Sequence, residues 1–130
     1  MADVAELTTL ERAIARAMSG QLPTQALLWV LAASEVMVPA EDDAYDGDAA
    51  TLHPRLAQRP GATVLPVFTA PATLQAAGAD ASFVAVVPGR QLLIRMPVDV
   101  GIVVNPGSER GFEVPSPGIA QIVAELTQVW

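Results

Sequence analysis

Few residues in this 130-residue chain are of a kind that could do chemistry, and the densest group of them is acidic. Glu41-Asp42-Asp43-Ala44-Tyr45-Asp46-Gly47-Asp48 precedes His53, the chain's one histidine. Carboxylates spaced around a glycine are the raw material of a calcium loop. With Gly47 set on the sharp-turn glycine of such a loop, Asp42 takes the first position and Asp46 the fifth. Ala44 then falls third and His53 twelfth, where a bidentate Glu belongs. Two ligands fail and no helix pair flanks the run, so a solvated loop is the better reading and no metal is expected.

Catalysis by a general base would have to use His53, which stands in an irregular Leu52-His53-Pro54 stretch. No serine sits in a GxSxG elbow, and Ser108 in Pro-Gly-Ser-Glu-Arg-Gly resembles one only superficially. There is no cysteine, which removes thiolate catalysis, disulfides and cysteine-based zinc sites. Glycine-rich phosphate loops and HExxH are also missing. Asp99 and Glu113 could form a carboxylate pair, but nothing in their spacing brings them together. The expectation is a protein that is not an enzyme and carries no cofactor.

Charge narrows the partners. All seven cations are arginine, fourteen acids oppose them, and the net charge is −7. Nucleic acid and anionic membrane both require a basic face, so neither is expected. Arg90 and Arg95 read as isolated surface arginines, which usually contribute little. Asp3 and Glu6 stand where a secretory signal would carry Lys or Arg. The longest apolar run, Ala26–Ala33, is far short of the roughly 20 residues of a membrane span. A bacterial cytoplasmic protein is expected.

The elements that must position these residues follow from hydrophobic spacing. Leu7, Leu10, Ile14 and Met18 share a helical face within residues 4–19, with Glu11, Arg12 and Arg16 turned away. Asp3 with Glu6 and Thr8 with Glu11 compete as capping boxes. A second helix over Pro23–Ala33 is apolar on nearly every side and should be buried, Trp29 with it. Val36–Pro39, Val64–Thr69, Phe83–Val87, Gly101–Asn105 and Phe112–Val114 read as strands, and a short helix follows Pro71. Gly89–Met96 is too short for periodicity to decide between helix and extended chain. Ser116, Pro117 and the stripe Ile119, Ile122, Val123, Leu126 open and fill a closing helix. Apolar residues make up 52% of the chain and aromatics only 5%, so the core is expected to be aliphatic. The fold class is α+β: one domain over 1–130 with a mixed sheet of about five strands flanked by helices. An irregular acidic excursion occupies about 41–60.

The most informative segment is Gly101–Val114. Pro106 fixes its own φ and favours an extended Asn105, while Gly107 can take the positive φ of a type II turn. Asn105, Gly107, Ser108 and Arg110 are therefore the candidate ligand- or partner-binding residues, their amides and guanidinium suited to an anion or carboxylate. A structural hairpin corner with a solvated Glu109-Arg110 pair is the competing reading.

Four blocks in order resemble the N-terminal domain of the SseB family, a bacterial group named for an enhanced serine sensitivity phenotype. They are Leu10–Ile14, Leu27–Pro39, Val67–Pro71, and Gly101–Val114 with Pro117-Gly118-Ile119. Ala70 stands where the family often has a capping Ser, leaving Thr69 to serve as cap. The resemblance implies an α+β fold and no catalytic residues. The expected function is a non-enzymatic protein-interaction or regulatory module; the alternative is a small-molecule sensor for an amino acid or other carboxylate. A homodimer through Val129 and Trp130 is a further possibility for the partner.

Overall fold

Thr8 sets the start of the first helix. Its hydroxyl accepts from Glu11 N at 3.1 Å, and Glu11 Oε1 accepts from Thr8 N at 2.9 Å, so both halves of the capping box close. Glu11 is thereby buried rather than turned to solvent. The computed structural model describes residues 7–78 and 82–129; the competing Asp3/Glu6 box, Trp130 and the Val129 side chain lie outside the described residues. Helix α1 runs Thr9–Met18 and buries Leu10, Ala13 and Ile14. Met18, expected on the same face, is 62% exposed because the helix ends before that turn meets the core.

Helix α2, Thr24–Ala32, buries Leu27, Leu31 and Ala32, whereas Leu28, Trp29 and Val30 are half-buried against the core. It is a layer helix and not the all-round buried one its composition suggests. Strand β1, Glu35–Ala40, follows, then the acidic segment with a single 3₁₀ turn at Ala49–Thr51. That segment is less irregular than expected. It closes with β2, Ala57–Arg59, which turns through Pro60 and Gly61 (φ 77°) into β3, Ala62–Val67.

Helix α3, Pro71–Ala76, begins without a side-chain cap from Ala70; Thr73 Oγ1 accepts from Ala70 N at 3.3 Å instead. Strand β4 is Phe83–Pro88, and the undecided segment after it is helical, α4 at Gly89–Ile94. Gly89 is required there. A Cβ at that position would stand 2.0 Å from Leu31 O, so a glycine lets α4 close on the end of α2. Strands β5, Val100–Val104, and β6, Phe112–Val114, precede the final helix α5, Ser116–Val129. Its stripe is as the sequence has it, with Ile119, Ile122 and Leu126 buried.

The architecture is α+β, with six strands in two sheets among the described residues in place of one sheet of about five. The larger has the order β2-β3-β5-β6, mixed because β3 and β5 are parallel, and the smaller is the antiparallel pair β1-β4. They meet where Met37 and Phe68 exchange both backbone hydrogen bonds, at 2.7 and 2.9 Å. One aliphatic core lies between the sheets and α1, α2, α4 and α5, with Val38, Val67, Val87, Ile102 and Val104 wholly buried. No helix among the described residues is long and apolar enough to cross a membrane.

Candidate functional site

The corner between β5 and β6 is built by Asn105. Ser108 N donates to Asn105 O at 3.0 Å and Gly107 has φ 80°, the closed turn and positive φ of a type II turn with Pro106 and Gly107 at its centre. Asn105 itself departs from expectation. Its φ is 51°, in the left-handed region and not extended, against the usual influence of a following proline.

The side chain explains the departure. Asn105 Oδ1 accepts from Thr69 N at 3.0 Å, and Nδ2 donates to Thr69 Oγ1 and to Arg110 O, both at 2.9 Å. Its own N–H donates to Val67 O at 2.8 Å. One buried amide thus locks the end of β5 to the β3–α3 junction and closes the loop behind it. Asparagine tolerates the left-handed conformation better than most residues, and these four bonds hold it there. Thr69 is consequently a partner of Asn105 and not the cap of α3.

The four expected site residues are brought together but face different ways. Asn105 is 1% exposed with every side-chain donor and acceptor used inside the chain. Ser108 Oγ accepts from Arg110 N at 3.1 Å. Gly107 is exposed and Arg110 half-buried. Gly111 sits against the corner, where a Cβ would lie 2.7 Å from Asn105 O. The hollows lined by Trp29, by Arg90, by Phe112, by Phe83 and by Leu92 include no residue of 105–111 in their walls. The Asn105 amide and the Ser108 hydroxyl bond back into the chain, which is the geometry of a clamp.

The acidic run is also occupied with itself. Asp42 Oδ1 accepts from Ala44 N, Asp46 Oδ1 from Asp48 N and Thr51 Oγ1, and Asp48 Oδ1 from Ala50 N, at 2.9–3.1 Å. His53 Nδ1 and Asp42 Oδ2 are 2.8 Å apart on the surface, and this contact, with the Ala44 amide, lowers the Asp42 pKa. Asp99 and Glu113 are not joined; Glu113 pairs with Arg59 on the other edge strand of the larger sheet.

Sequence reasoning missed the surface that stands out most. A run as continuously apolar as Phe83–Val87 is the composition of a strand covered on both faces. In the fold, β4 pairs with β1 alone among the described residues. Ala85 and Val87 reach the core, while Val86 is 51% and Phe83 40% exposed. The signal was present as a mismatch: a strand composed for a sheet interior has no second neighbour.

Fold and corner together define a class, an α+β domain whose mixed sheet is closed by an asparagine-locked Asn-Pro-Gly hairpin. The chain belongs to the SseB family: the model of the SseB protein N-terminal domain matches residues 10–121. No curated protein and no solved structure shows significant similarity to it.

Proposed function

We propose that this SseB N-terminal domain is a non-enzymatic interaction module of the bacterial cytoplasm that takes an extended segment of a partner protein along β4. The observation that carries this reading is the open apolar edge. An exposed edge strand offers a row of backbone N–H and C=O groups, and proteins normally blunt such edges with charge, proline or a covering element. Here the strand interior, Val84 to Val87, carries no charge. Strand addition satisfies the free backbone groups, and pockets for alternate side chains supply selectivity.

Charge describes the partner further. Glu35 is paired with Pro88 at one end of the β1-β4 ladder, and Asp42 and Asp43 line a hollow with Phe83 at the other. An apolar strand framed by acids suits an apolar segment flanked by Lys or Arg. It suits a second copy of this chain poorly. Antiparallel self-pairing of β4 would bring Glu35 of one copy toward Asp43 of the other, in a molecule already at −7.

The test is affinity capture from a bacterial lysate with the wild type, Val86→Lys and Arg110→Ala at equal loading. A stoichiometric protein retained by the wild type and by Arg110→Ala, and lost with Val86→Lys, is expected. Equal retention by Val86→Lys defeats the proposal, as does a dimer of the chain alone by light scattering.

A further inference from the structure

A second surface, away from both the corner and β4, is built for a small molecule. Beneath the end of α4 lies an apolar cavity of about 340 Å³ whose walls include Leu52, Leu56, Leu65, Leu92 and Met96. An adjoining polar chamber of about 290 Å³ is lined by Asp48, Arg90 and Arg95 among others. Ala49 and Arg95 belong to both, so the two chambers share a wall. We propose that this bipartite pocket binds a small aliphatic monocarboxylate, its carboxylate on Arg95 and its hydrocarbon against Leu52, Leu65 and Leu92.

Three observations support the assignment. The apolar wall is rigid, because Leu52, Leu65 and Leu92 are core residues at 9, 1 and 4% exposure. Its rim is not covered: Leu56 is 44% exposed, and Ile94 in the polar chamber 37%. A cation adjoins the apolar wall, because Arg95 lines both chambers in a chain that is strongly acidic overall. Asp48 Oδ1 is already accepting from Ala50 N at 2.9 Å, which fixes the 3₁₀ turn forming one side of the pocket. No carboxylate among the described residues lies within ion-pair distance of Arg95. A ligand carboxylate pairs with Arg95 through the planar, two-pronged geometry that arginine favours. A concave apolar pocket with a few convergent polar groups is the usual form of a small-molecule site.

The probe is 4-methylpentanoate, titrated calorimetrically at neutral pH into the full chain. Saturable one-to-one binding is expected, weakened at least tenfold by Arg95→Gln and abolished by Ala50→Trp, which fills the mouth of the apolar chamber. Thermal melts without ligand establish that both variants are folded. Along butanoate, pentanoate and hexanoate, affinity should rise about fourfold per buried methylene. Val86→Lys should leave this binding unchanged, which separates the pocket from the β4 proposal. Absence of saturable binding overturns the assignment. So does equal affinity for 4-methylpentan-1-ol, tighter binding of leucine, or an Arg95→Gln titration identical to the wild type.

Discussion

The 105–111 corner and strand β4 differ in which way their unsatisfied groups point. At the corner every side-chain polar atom of Asn105 is answered from within the chain, and the residue is buried. At β4 the backbone has one neighbour among the described residues, and apolar side chains lie open. A distinctive sequence block and an open surface are therefore different features of this domain. Asn-Pro-Gly is distinctive because the fold cannot close without it, whereas Phe83–Val87 looks like any core strand and stands at the edge.

Breaking the corner should have the largest effect. Asn105→Ala leaves Thr69 N and Arg110 O buried without partners and forces alanine toward φ 51°, a loss of about 3–5 kcal/mol in chemical denaturation. Asn105→Gly removes the backbone strain but not the orphaned groups, so it should recover only about 1 kcal/mol of that loss. If glycine restored full stability, the hydrogen bonds would be irrelevant and the clamp reading wrong.

Next in size is the junction just after β4, where α4 begins against the end of α2. Gly89→Ala places a methyl against Leu31 O, and about 3 kcal/mol of destabilisation is expected from urea unfolding. On the outer side of the same strand, Val86→Lys should change stability by no more than about 0.5 kcal/mol while removing partner capture. A destabilisation as large as that of Gly89→Ala would mean that the outer face of β4 is packed and not open.

The smallest effect belongs to the acidic loop. Asp42 has its pKa lowered in the fold from an ordinary value of 3.8, chiefly by His53, so its contribution is present above that value and fades as pH falls through the folded-state value. Asp42→Asn should lower stability slightly at neutral pH and converge with the wild type as pH falls below about 4, so that the acid limb of its stability curve is flatter.

Much of this was legible in the sequence where local chemistry decides. Thr8 and Glu11 mark a helix start, the stripe of α5 marks its buried face, and Gly107 marks the turn. Asn105 was misjudged because the proline rule is local, whereas the amide that overrides it bonds to Thr69, 36 residues away. Strand β2 was hidden because Ala57–Arg59 is short, exposed and polar, with only Pro60-Gly61 to hint at a hairpin. The pocket arginines looked isolated because Asp48 and Arg90 meet only through the tertiary fold. For β4 the run itself was read correctly as a strand. Its place at the edge depends on sheet order, which no window of residues contains.

Hydrogen exchange of the free domain against the captured complex compares the two regions in one experiment. New protection is expected at residues 83–88, while the Asn105 amide, bonded to Val67 O, is expected to exchange slowly and equally in the two states. Protection appearing at 105–111 with none along β4 would contradict the account.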